Sequence, residues 1–424
     1  MQIKRDYNQP FFSTRRRRRG VGGRFLFIYG LVIGAFLVFV WAQFDRLQLM
    51  ALDVVGLAPT ATPFASTWAN QGYDQYLQGD VVAALASFQR AAQQQPDNVN
   101  YLYEYGRILI ELDDDNGYAA QAETIGDHMI EVTPNDPRGY VIKARAMVWQ
   151  DDSANAIPWA LRGLEIDPNF APIHSVLARA YTDIGRYQQG LTFGEQAVQL
   201  DPNDPDTHRS YAIALIWVGE REAAIEQLED AVNLNPNLTA TYFELAQQYI
   251  NQNLEEYGVA TYEKILSLEP FNAKALLRLC EVYFRVGQDQ QAQGYCDDAL
   301  ELNPQYKQAY RQLGMVEFRR RNYEGAIEDF QQCVALGSTE IQCYYLRGLA
   351  HYYLGECDDA WNLLQDSLVR VEGEGAPPGD PVLTSIQSGL ELVTQNCADY
   401  RGVALPTSPP PTEPPPTPIG GLGG

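Results

Sequence analysis

The side chains with chemistry to offer are four histidines, His128, His174, His208 and His351, and six cysteines, Cys280, Cys296, Cys333, Cys343, Cys357 and Cys397. A zinc hydrolase of the HExxH type needs two histidines one helical turn apart, a nucleotide site needs a Walker or GxGxxG glycine loop, and an α/β-hydrolase needs GxSxG. None of these motifs is present. His174 and His208 stand 34 residues apart, too far to share one helix face, so the pair reads as one structural slot used twice. The run Asp201, Asn203, Asp204, Asp206 has the acidity of a calcium loop but lacks the glycine at its sixth position and a placed glutamate. It reads as a turn. No catalytic residue, metal site or cofactor is expected.

Charge divides the chain. Of 424 residues, 31 are Lys or Arg and 54 Asp or Glu, a net charge of −23. Eight basic residues, Arg15 to Arg19 among them, precede residue 25, against the single Asp6, which leaves −30 for the rest. Such an acidic body excludes a general nucleic-acid binder, which must displace counterions with a basic surface. Between head and body, Phe25 to Ala42 contains no charged residue. Eighteen residues at helical rise span about 27 Å, the thickness of a bilayer's hydrocarbon core. A transmembrane helix is expected over 25–42, behind a basic segment 1–24 that the positive-inside rule keeps in the cytosol. The body then lies across the membrane, which the compact basic-then-apolar start marks as a bacterial cytoplasmic membrane. The competing reading is a signal peptide cleaved after Ala42, against which stand the length of the apolar run and Trp41. Gly30 and Gly34 form a GxxxG, the close-packing motif of membrane-helix homodimers. A linker, 43–65, follows, with Pro59 and Pro63 resisting helix.

What must position any functional residue in the body is a repeat. Pro134, Pro168, Pro202, Pro236, Pro270 and Pro304 follow one another at intervals of 34. Trp68, Tyr140, Tyr242, Tyr310 and Tyr344 occupy one aromatic slot; four residues later come the small residues Gly72, Ala144, Ala212, Ala246, Gly314 and Gly348. Tyr181, Tyr249 and Tyr283 fill a tyrosine slot, and Ala84, Ala122, Ala156, Ala224, Ala292, Ala326 and Ala360 a second small slot. This pattern resembles the tetratricopeptide repeat (TPR) family. The resemblance implies an all-α fold: a right-handed superhelical solenoid of helix-turn-helix repeats, nine of them over 66–371, each burying its apolar face only against its neighbours. The second repeat is four residues longer, and the turn Asp113 to Gly117 is where the excess belongs. Val382, Ile386, Leu390 and Val393 mark a capping helix within 372–400. Residues 401–424 end in a Pro/Gly-rich tail, expected to be extended polyproline and otherwise disordered.

On this register Cys280 falls in a first-helix small slot and Cys296 in the second helix of the same repeat, where antiparallel packing brings them together. Cys333 closes one repeat as Cys343 opens the next, leaving Cys357 for Cys397. That connectivity is one of fifteen, and for Cys280 and Cys333 a buried thiol filling a packing slot is the alternative. A solenoid's first helices line a concave groove suited to an extended peptide. In repeats seven and eight the groove positions are Lys274, Arg278, Glu281, Phe284, Arg285, Arg311, Phe318 and Arg319, a basic and aromatic stretch on an acidic body. The chaperone-binding members of the family use Lys and Asn at set groove positions; Phe243 and Gln247 stand there instead, so chaperone binding is not implied. The expectation is a single-pass, non-catalytic scaffold that binds protein in its groove. The alternative is an envelope or secretion accessory that holds client polypeptides for a separate enzyme.

Overall fold

The computed structural model describes residues 64–112, 117–373, 375–377 and 379–405. The expected membrane helix 25–42 with Gly30 and Gly34, the basic segment, nearly all of the linker, most of the acidic turn and the tail from 406 lie outside the described residues. Among the described residues no helix is long and apolar enough to cross a membrane.

The described chain is all-α, with no strand among its residues. Nine helix pairs follow in order: α1 Ala65–Leu77 and α2 Val81–Gln94, α3 Val99–Glu111 and α4 Tyr118–Val132, α5 Pro137–Trp149 and α6 Ser153–Ile166, α7 Ala171–Asp183 and α8 Tyr187–Leu200, α9 Pro205–Val218 and α10 Arg221–Leu234. The rest are α11 Thr239–Asn251 and α12 Glu255–Leu268, α13 Ala273–Arg285 and α14 Asp289–Leu302, α15 Lys307–Arg319 and α16 Tyr323–Ala335, α17 Gln342–Leu354 and α18 Cys357–Gly373. Helix α19, Pro381–Asn396, packs on the last pair. Its buried stripe begins at Leu383, with Val382 only half-buried, then runs through Ile386, Leu390 and Val393.

Local chemistry sets these ends. Proline cannot leave its predecessor in the helical region, and Thr133, Asp167, Asp201, Asn235, Glu269 and Asn303, each preceding the repeat proline, have ψ between 75° and 98°. Each second helix ends there. Asp136 and Asp204 cap α5 and α9 by accepting from the N–H two residues on, both at 3.0 Å. The turn inside each pair takes a left-handed residue at the same register: Gly185, Gly219, Gly287 and Gly355, but Asp151, Asn253 and Arg321 elsewhere.

The first-helix aromatic slot does more than fill space. Tyr140, Tyr242 and Tyr344 donate their hydroxyls to the carbonyl six residues earlier, that of Pro134, Pro236 and Ser338, at 3.0 to 3.2 Å. His174 and His208 place Nε2 at 2.8 and 3.0 Å from the carbonyls of Pro168 and Pro202. Histidine thus replaces tyrosine as the donor that ties each first helix to the preceding turn. The small slot lets the two helices of a pair touch: Ala144, Ala178, Ala212, Ala246 and Cys280 have no exposed surface.

The stack also meets itself. The side-chain amide of Asn237 donates to the carbonyl of Leu77 at 2.8 Å, across 160 residues of sequence. Leu238 is buried in the same apolar cluster as Phe88 and Leu109. Gly79 has φ +85°, and a Cβ there would stand 2.5 Å from the carbonyl oxygen of Asn237; both its backbone and the close approach require glycine. The first pair therefore touches the turn that enters the sixth.

Candidate functional site

Because first helices alternate with second helices, one face of α3, α5, α7, α9 and α11 looks inward. Arg107, Arg145 and Arg179 occupy the same register on α3, α5 and α7, so three guanidinium groups stand on successive rungs. Arg145 bonds Asp206 at 2.8 Å and lies 3.8 Å from Glu111. Arg209 grips Glu244 through two nitrogens, at 2.9 and 3.1 Å, and reaches Glu111 at 3.2 Å and Asp206 at 3.3 Å. Side chains of Glu111 and Arg209 are 7% and 8% exposed. This network ties the second, third, fifth and sixth pairs together and spans the fourth. Arg107 pairs with Glu104 at 2.9 Å and stacks over Tyr76, its guanidinium carbon 4.5 Å from the ring centre. Arg179 pairs with Asp183 at 3.3 Å.

Burial alone would push the Asp206 carboxyl up, but Arg145 and Arg209 outweigh it and hold Asp206 well below the usual carboxylate range. Asp204 moves the other way: burial, then the charge of Asp206, raises its carboxyl. Burial likewise pushes the Tyr76 hydroxyl up to about 12. Between these groups lies a cavity walled by the arginines, by Asp204 and Asp206, and by the apolar Val148, Trp149, Val176 and Ile213. Ser175 also lines it. Its hydroxyl is buried, 7% of the residue being exposed, and has no hydrogen-bond partner within the chain. A buried polar atom of this kind is satisfied by a ligand or by water.

The groove positions read from sequence fall on α13 and α15, and the chain itself meets most of their charge. Arg278 donates to Glu281 at 2.6 Å, and Arg311 lies 3.7 Å from both Glu281 and Glu340. Arg285 donates to Asn253 at 2.8 Å, near Glu255 at 3.8 Å. Arg319 pairs with Asp289, donates to the carbonyl of Phe284 at 2.5 Å and lies flat over the Phe284 ring, 3.6 Å from its centre. Lys274 sits 5.2 Å from the centre of Phe243 and lines one pocket with Arg278. Phe318 stands edge-on to Tyr323 and Tyr353 at 5.5 and 5.9 Å. These residues form three small groups, and the basic patch is internally compensated.

The cysteines are joined as Cys280–Cys296, Cys333–Cys343 and Cys357–Cys397, with Cα separations of 5.4, 6.2 and 6.0 Å. Those are the three pairs the repeat register brings together. His174 and His208 have both ring nitrogens engaged, the second facing Gln196 at 3.2 Å and Gln227 at 2.9 Å. Among the described residues, His351, Glu356 and Asp359 bring possible ligand atoms within 4.8 Å of one another. Their carboxylates stand at the N-terminus of α18 and His351 near the C-terminus of α17, each where the helix dipole favours that charge. Asp201 to Asp206 is the turn entering α9, its carboxylates used by backbone N–H groups and by arginines.

The sequence reading passed over Arg107, Glu111, Arg145, Arg209 and Glu244, and took Asp206 for a turn residue. A signal was available, since Arg145 and Arg179 stand in the register of the groove position Glu281, and Arg209 in that of Arg311. Their partners are not in that signal.

Stacked helix pairs with a polar, charged inner face define a helical-repeat binding scaffold. The tetratricopeptide repeat family matches residues 181–249, and again 70–117 and 277–340. The chain carries tetratricopeptide repeats. Similar solved structures include TTC0263, a thermophilic TPR protein of Thermus thermophilus, at 21% identity and TM-score 0.38, covering 44% of this chain and 99% of that one. A tetratricopeptide repeat protein from Parabacteroides merdae ATCC 43184 is 16% identical, with TM-score 0.46, covering 61% and 98%. The Cut9–Hcn1 hetero-tetramer of APC/C is 13% identical, with TM-score 0.49, covering 84% and 82%. Among curated proteins, none matches the chain.

Proposed function

We propose that this chain is a membrane-anchored scaffold that binds an extended polypeptide along its inner face. Residues 25–42 are the anchor, the N-terminus is cytosolic, and the repeat body faces the far side of the membrane. The cavity between α3 and α9 is the primary anchor point for the partner, and the groove positions Lys274, Arg278, Glu281, Phe284, Arg285, Arg311, Phe318 and Arg319 extend it. The observation that carries this reading is the buried, unpartnered hydroxyl of Ser175 inside a cavity whose charged walls are already engaged within the chain. Paired walls position a ligand without a large charge of their own, and the apolar side chains among them give area to bury. Repeat proteins present extended concave surfaces that bind polypeptides.

A photo-crosslinking residue at Arg179, on the cavity rim, tests this in native membranes. The expected result is an adduct with a second polypeptide, lost when Ser175→Leu fills the cavity and absent when the crosslinker replaces the exposed Glu195 on α8. Equal labelling from both positions, or none from Arg179, overturns it. The anchor has its own test: deletion of 25–42 is expected to release the chain from carbonate-washed membranes.

A further inference from the structure

We propose that the aromatic groove across the last three helix pairs is the seat of the chain's own proline-rich segment, residues 406–418. This rests on reading the inner face as a polypeptide-binding surface, at the end opposite the Ser175 cavity.

The groove is built of ring faces. Tyr323 and Tyr353 stack with centres 4.8 Å apart, and Phe318 closes on both edge-on. Phe284, Arg319 and Arg321 continue the wall. Tyr353 is 51% exposed, a large surface for an aromatic side chain in the inner groove. Exposed aromatic surfaces of this kind take polyproline, whose rings pack against them and whose helix loses little entropy on docking.

The matching ligand leaves the fold next to this groove. Asn396 at the end of α19 donates to the Tyr352 hydroxyl at 2.8 Å, one residue from Tyr353. Cys397 is bonded to Cys357, Tyr400 donates to Asp358 at 2.8 Å and stacks on Trp361, and Leu405 packs on the same cluster. The chain is thus pinned to α17 and α18, the pair that carries Tyr353, up to the point where Pro406 begins. Residues 406–418 contain eight prolines, in two triplets flanking Thr412 and Glu413. As polyproline they reach about 40 Å at 3.1 Å per residue, which carries them past Tyr353 to Arg319.

Charge fits as well. Glu413 is the only charged residue after Arg401. Arg321 lines the groove with no carboxylate in ion-pair range among the described residues, and Arg319 lies beside it. With the tail attached, the groove sees it at an effective concentration on the order of millimolar. An outside polypeptide must displace it to use this end of the inner face.

The test uses a fluorescent peptide with the sequence of residues 406–418, the full chain, and the same chain ended after Leu405. Anisotropy is expected to show the shortened chain binding the peptide at least tenfold more tightly than the full chain, at every protein concentration. Tyr353→Ala in the shortened chain is expected to weaken binding at least tenfold. Glu413→Lys in the peptide, which cannot disturb the fold, is expected to weaken it severalfold at low salt and much less at high salt. No binding by either chain overturns the proposal. Equal binding by both means that the groove takes proline-rich ligands from elsewhere, and a difference that vanishes on dilution means a tail from a second copy; each also overturns it. Failure here leaves the Ser175 cavity untouched, because the crosslinking at Arg179 reads a different part of the groove.

Discussion

Arg209 is the hub of the inner network, so its removal is the sharpest test of how the inner face is held. Arg209→Met keeps the aliphatic stem and removes the charge. Glu111, 7% exposed, is then left with only Arg145 at 3.8 Å, and Glu244 loses a two-nitrogen grip. Stranding one partner of a buried ion pair costs about 3 to 5 kcal/mol, and the remaining Arg145 places this site near the low end. About 3 kcal/mol is roughly a 100-fold change in an equilibrium constant. A nine-repeat array need not unfold in one step, so the readout is local: hydrogen exchange of the α3 and α9 amides in the full chain. Protection is expected to fall about 100-fold there and to stay unchanged in α15 to α18. Arg209→Met combined with Glu111→Met removes both charges and is expected to recover most of the loss, because a buried pair exchanged for apolar side chains is close to neutral. A fall below tenfold in the single variant, or losses that simply add in the double, would refute the buried-network reasoning.

Two further predictions concern proton chemistry and the repeat slots. Asp329 is pushed up to about 7, first by burial and then by the charges of Glu317 and Asp297. A carboxyl raised in the fold from an ordinary value near 3.8 gives full stability below that value and loses it as pH rises through about 7. Asp329→Asn is therefore expected to stabilise the chain at pH 8 by on the order of 2 kcal/mol after allowance for partial exposure, and not at pH 4; thermal melts at the two pH values check it, and equal gains at both would contradict it. His174→Phe is expected to cost about 1 to 2 kcal/mol through the lost bond to Pro168, while His174→Tyr keeps it as Tyr140 and Tyr242 do. Exchange rates in α7 decide between them, and equal losses for both variants would mean that the slot needs histidine for another reason.

Much of this protein could be read from residue order because its determinants are local or one repeat away. Proline two residues past each of the first seven second helices ends it through the backbone of its predecessor. A small residue four positions after the aromatic slot lets two helices touch, and both rules recur every 34 residues. Periodicity therefore placed the helix pairs, the buried alanines and cysteines, the packing slot of His174 and His208, and the register of the groove. What that register could not convey is which charges meet. Whether Arg311 faces open solvent or lies between Glu281 and Glu340 depends on side chains of adjacent repeats at positions that carry no periodic signal. The larger omission was the self-contact. Asn237 reaching Leu77 and Arg209 reaching Glu111 follow from the rotation between repeats accumulated over several pairs, and no one residue encodes that sum. Local sequence determined the repeat unit; the tertiary stack decided that the first six units enclose a polar cavity, and that the last three present an aromatic face beside the point where the proline-rich tail begins.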